Sequence, residues 1–108
     1  MKYAVLTAKG EVKEHEVDAI TADDIERVTM GSFRAMEPDE SMVIFHNNDP
    51  RQPGLPFNWG ATHLLQRRLH PSDQVTGDVL VTGPVDFEGH PTDISDEAVN
   101  RLREVNKR

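Results

Sequence analysis

At 108 residues the chain suits one domain able to bury a modest core. It has no cysteine, which excludes disulfides, thiolate catalysis and cysteine-ligated zinc. Its net charge of −7 disfavours unassisted binding to nucleic-acid phosphates, which takes Lys and Arg to displace counterions. The charge is uneven: residues 1–50 hold eleven acids against five Lys/Arg, and residues 51–108 hold eight against seven. The plain explanation is a solvated surface, and the sharper one a basic protein partner. The N-terminus soon reaches Lys9, Glu11, Lys13 and Glu14 without a long apolar run, so no signal peptide is expected. No stretch approaches a membrane-spanning length, and a cytoplasmic location is the expectation.

Residues 3–8 form an apolar run that predicts an interior strand buried on both faces. Lys9-Gly10 is the turn, and residues 11–17 return as an edge strand protected by Glu14, His15 and Glu16. Thr21 and Asp24 have capping-box spacing, so a helix starts at Thr21, with Ile25 and Val28 inward and Gly31 as its left-handed end. Residues 33–36 predict a strand and residues 37–40, containing Pro38, a turn. The unbroken apolar run 42–45 predicts a second interior strand. A polar loop with three prolines follows from His46 to Pro56. Asn58 is the N-cap of a helix expected to reach Leu69 and end at Pro71, with Ala61, Leu64, Leu65 and Leu69 on its inner face. Residues 78–82, framed by Gly77 and Gly83, predict a further strand. Ser95 caps the last helix, Ile94 and Val99 have staple spacing, and Arg101, Arg103, Lys107 and Arg108 lie towards its negative end. The order is ββαββαβα, which predicts a single α+β domain over residues 1–108 with an at least partly antiparallel sheet. The expected core is Val5, Leu6, Val43, Ile44, Phe45, Leu64, Leu65, Val79, Leu80, Val81, Val99 and Leu102.

Several segments together form a wider pattern: Val28-Thr29-Met30-Gly31-Ser32-Phe33, the strand ending His46-Asn47-Asn48, and Leu55-Pro56-Phe57-Asn58 with Ala61 and Leu64. Gly77-Asp78-Val79-Leu80-Val81-Thr82-Gly83 and the Thr92-Asp93 step complete it over most of the chain. The pattern resembles a family of small uncharacterised proteins found in actinobacteria and their phages. Members usually carry two adjacent glycines where this chain has Gly31-Ser32, and an acid soon after the first Asn, matched here by Asp49. The family brings no general activity with it. The resemblance implies a phage-encoded or phage-derived protein and a part in the fold for Asn47 and Asn58. Asn58 already has a reason as a helix cap, and Asn47 can bond its own backbone in a turn.

No motif fixes a chemistry. The five histidines include no HExxH pattern and no i,i+4 pair; His63 and His70 share a face only if the helix reaches Pro71. None of Ser32, Ser41, Ser72 or Ser95 sits in a Gly-x-Ser-x-Gly elbow, and there is no Walker loop. Asp23-Asp24 reads as a solvated helix start. Arg67-Arg68, with Arg51, is a candidate basic patch, though two solvated arginines on an outer helix face is the plainer reading. No catalytic residue, metal ligand or cofactor is assigned.

The expected function is a non-catalytic protein-binding module that modulates a host protein. No direct nucleic-acid or membrane binding is expected, and the oligomeric state is open. The binding residues are Asn47, Asn48, Asp49, Arg51 and Trp59, because polar loops on anchored elements carry binding groups, and Trp and Arg dominate contact energies. Trp59 has a second reading, as a core residue that pins the loop. The alternatives are an acidic nucleic-acid mimic of the anti-restriction type, using acids of residues 11–40, and a small enzyme or nucleotide binder.

Overall fold

Apolar runs that do not alternate need a sheet covered on both faces, and the fold provides one. The structure is a computed structural model that describes residues 1–70 and 73–105. Pro71, Ser72, Lys107 and Arg108, invoked above, lie outside the described residues. The elements are β1 (Lys2–Leu6), β2 (Val12–Glu16), α1 (Ala22–Thr29), β3 (Phe33–Asp39), β4 (Met42–Asn47), α2 (Trp59–Leu65), β5 (Val79–Thr82) and α3 (Asp96–Val105). The expected α+β order is the observed one. Five strands form one sheet in the order β2-β1-β5-β4-β3, every pairing antiparallel. Two hairpins, β1–β2 and β3–β4, thus make the two sides, and β5 joins them.

The strand period of two sorts the core into halves. Ala4, Leu6, Met42, Ile44, Val79 and Val81 point to the face covered by Ala61 and Leu65 of α2 and Val99 and Leu102 of α3. Tyr3, Val5, Val43, Phe45 and Leu80 point to the other, against Ile25 of α1. Every residue expected in the core is buried except Leu64, which is half-buried and flanks it. The reason is the short α2: Ala61 and Leu65, four apart, take the inner stripe.

Helix starts follow the expected chemistry. Thr21 Oγ1 accepts from the Asp24 N–H while Asp24 Oδ2 accepts from the Thr21 N–H. Ser95 Oγ accepts from the Ala98 N–H at 3.1 Å, and Ile94 and Val99 are buried together. Asn58 does more than cap. Its Oδ1 accepts from the Ala61 N–H at 3.0 Å, and its Nδ2 donates to the carbonyls of Leu6 at 3.0 Å and Gly77 at 2.9 Å. Its backbone N–H donates to the Val75 carbonyl.

Three expectations need correction. The left-handed residue after α1 is Met30, at φ 66°, not Gly31. Gly31 sits at φ 148°, and a Cβ there would lie 2.7 Å from Asp49 Oδ2, so its small size is used for a close approach. α2 stops at Leu65 and not Leu69, because the Gln66 and Arg68 N–H groups bond three residues back, to His63 and Leu65. β3 continues to Asp39 and takes in Glu37-Pro38, with a register shift between Met36 and Asp39. Pro38 is tolerated because β3 is an edge strand.

Leu65 is fully buried among Ala61, Leu102 and the sheet. Leu65→Ala is expected to lower unfolding free energy by about 2–5 kcal/mol in a urea titration.

Candidate functional site

The loop after β4 is built by side chains bonding to backbone. Asn47 Oδ1 accepts from the Asp49 N–H at 2.9 Å, closing one Asx-turn, and Asp49 Oδ1 accepts from the Arg51 N–H at 2.9 Å, closing a second. The Gln52 N–H donates to the Asp49 carbonyl at 3.1 Å, so Asp49-Pro50-Arg51-Gln52 is a β-turn with proline at its second place. Asn47 Nδ2 meanwhile donates to the Thr29 carbonyl at 2.9 Å, tying the loop to the end of α1.

Asp49 is the hub. Arg51 forks onto it, Nε to Oδ1 at 3.0 Å and Nη2 to Oδ2 at 3.1 Å, and the Ser32 N–H donates to Oδ2 at 3.3 Å. The Asp49 side chain is 7% exposed and that of Arg51 84%. The Arg51 guanidinium, then the Arg51 and Ser32 amides, hold the Asp49 carboxyl far below the usual carboxylate range. The carboxylate in turn raises the Arg51 pKa. An aspartate so engaged stays ionised and acts as an acceptor, not as a proton donor.

Asn47, Asn48, Asp49, Pro50, Gln52 and Thr76 line an open concavity of ≈ 510 Å³. Thr76 is brought there by an isolated antiparallel bridge to Phe57. Phe57 and Trp59 are both exposed, at 43% and 40%, and Trp59 stacks on His63 with ring centroids 5.0 Å apart. Of the two readings of Trp59, exposure is the one observed.

The five expected binding residues therefore divide. Asn47 and Asp49 spend their polar groups inside the loop. Asn48, Arg51 and Trp59 are exposed. His46, expected as the first loop residue, belongs to β4 and is buried. Its Nδ1 contacts the Asn47 carbonyl, its Nε2 is buried without a partner among the described residues, and burial lowers its pKa, with the Arg34 charge adding to the effect. Gly31, Ser32 and Phe57 stood in the sequence reading only as a helix end or as parts of the wider pattern and Gln52 only as part of the loop, while Thr76 had no place in it. The Asp49-Pro50 step was a legible turn signal, but the bridge between Phe57 and Thr76 leaves no local mark. His63 and His70 do not share a helix face, because α2 ends at Leu65. Among the described residues no group of three His, Asp or Glu side chains could hold a metal ion, and no helix is long and apolar enough to cross a membrane.

Fold and loop together define a small α+β domain whose antiparallel sheet carries an internally bonded polar loop. The chain belongs to the family described as Domain of unknown function (DUF3846), whose family model matches residues 1–107. Neither a curated protein nor a solved structure matches it.

The loop makes stability depend on acid in a defined sense. Because the folded pKa of Asp49 is depressed, its contribution is present above the ordinary carboxylate range and is lost as pH falls through the folded value. Urea midpoints measured from neutral to acidic pH should fall less steeply for Asp49→Asn than for the wild type, with the neutral-pH midpoint already lowered.

Proposed function

We propose that this chain is a non-catalytic protein-binding module whose contact surface is the loop of residues 48–56 with the exposed start of α2. The setting is that of a phage-encoded protein in a bacterial cytoplasm, modulating a host protein. The observation that carries the reading is the internal bonding of the loop. Asp49 accepts from Arg51 and Ser32, so the loop's shape is fixed before any partner arrives and little entropy is lost on docking. Around that frame Arg51, Phe57 and Trp59 face outward, and aromatic and arginine side chains are those that carry contact energy.

The mimic reading has less support. A mimic needs its carboxylates free along one face, whereas Asp24 closes a helix cap, Asp39 pairs with Arg101 and Glu14 pairs with Arg103.

The test leaves Asn47 and Asp49 untouched, since they hold the loop. Tagged protein is used to capture partners from host lysate, and the captured proteins are identified by mass spectrometry. Replacing Asn48, Gln52 and Trp59 together with Ala, which leaves the Arg51–Asp49 fork in place, should reduce capture about tenfold or more, while the melting temperature stays near wild type. Undiminished capture by the folded variant would remove the loop as the contact surface. Release of the partner by moderate salt alone would favour the mimic.

A further inference from the structure

The two edges of the sheet are treated differently. β2 presents Lys13, Glu14, His15 and Glu16, all exposed, a run of charge that discourages another strand from pairing with it. β3, at the opposite edge, has one charged residue between Phe33 and Met36, namely Arg34. Its free backbone groups can be placed from the ladder. The Asn48 N–H donates to the Ser32 carbonyl, and Ser32 lies one step outside the Phe33–Asn47 pair. In an antiparallel ladder bonding alternates, so Ser32, Arg34 and Met36 bond towards β4, while the N–H and C=O of Phe33 and Ala35 point away from the sheet. Among the described residues no other strand lies on that side.

A concavity of ≈ 330 Å³ runs along this stretch, lined by Arg34, Ala35, Met36, Glu37 and Arg68. Four successive strand residues can line one hollow only if it follows the edge of the strand itself. Arg34 and Arg68 are exposed and in no ion pair among the described residues, in a chain of net charge −7. An unpaired strand edge flanked by two uncommitted guanidinium groups is complementary to an extended, acidic peptide.

We propose that the β3 edge accepts an acidic segment of a partner protein as a sixth, antiparallel or parallel strand. Main-chain bonds form to Phe33 and Ala35. One guest carboxylate lies against Arg34 and Arg68, an apolar guest residue lies over Met36, and small or apolar residues lie on the opposite face beside Phe33 and Ala35. Glu37 sets the limit, since a second acid placed beyond Met36 would face a like charge. The site is separate from the loop of residues 48–56 and does not rest on it.

The probe is a random-peptide library selected on the immobilised full chain, with the enriched peptides then measured by fluorescence anisotropy. Enriched peptides should carry Asp or Glu beside β-branched residues, and hydrogen exchange at the amides of Phe33 and Ala35 should slow when they bind. Ala35→Pro removes an outward N–H without touching the β3–β4 ladder, as an edge strand tolerates. It should weaken binding about tenfold or more, as should the double charge reversal Arg34→Glu with Arg68→Glu, which does not depend on how well the proline variant folds. The Asn48, Gln52 and Trp59 triple-alanine variant should bind the peptides as the wild type does, so failure here and failure of the loop reading are distinguishable. Peptides without acids, no enrichment at all, unchanged exchange at Phe33 and Ala35, or full binding by the charge-reversed variant would each overturn the proposal. So would a concentration-dependent dimer abolished by Ala35→Pro, because the edge would then be taken by a second copy of the chain.

Discussion

The carboxamide of Asn58 holds together three pieces of chain that are far apart in sequence. Its oxygen takes the Ala61 N–H and starts α2. Its nitrogen gives one hydrogen to the last carbonyl of β1, at Leu6, and the other to Gly77, just before β5. The residue is 1% exposed, so none of these groups has water as an alternative. An unsatisfied buried polar group costs about 1–3 kcal/mol, which makes the three bonds worth more as a set than a surface cap would be. Since β5 is the strand that joins the two hairpins, the position of its entry fixes the whole sheet.

The same knot sets the frame of the loop. One end of residues 48–56 leaves β4, which is buried on both faces, and the other arrives at Asn58. Between these fixed ends the chain needs its own order, and Asp49 supplies it by gathering the amides of Arg51 and Ser32 and the Arg51 guanidinium. Gly31 is part of this arrangement: it has no Cβ where the Asp49 carboxylate sits. Polar contacts thus tie the loop to the end of α1 and the start of β3, in addition to the apolar packing of Ile25, Val28 and Phe33 on the sheet.

Most of the architecture was legible in the sequence, because the signals were local. The runs 3–8 and 42–45 announced strands buried on both faces, the first observed over Lys2–Leu6, Thr21 with Asp24 announced a helix start, and Asn58 announced another. α2 ended early through local bonding three residues back, and two other errors fell where tertiary context decided the outcome. Gly31 looked like a helix end, but the demand on it comes from Asp49, so Met30 took the left-handed place. Pro38 looked like a turn residue, but at an edge its missing N–H costs no ladder bond, and β3 ran on to Asp39. In the candidate site the polar character of the loop was legible and its internal bonding was not. Asn47 and Asp49 spend their polar groups inside the loop while Arg51 and Trp59 are exposed, a distinction set by hydrogen bonds to Thr29 and Ser32 that no spacing rule reveals.

Aspartate caps helices as well as asparagine does, but it cannot donate to the Leu6 and Gly77 carbonyls. Urea unfolding of Asn58→Asp at neutral pH thus separates a helix cap from a knot that positions the sheet. The account predicts a loss of about 2 kcal/mol or more. Wild-type stability in this variant would contradict it.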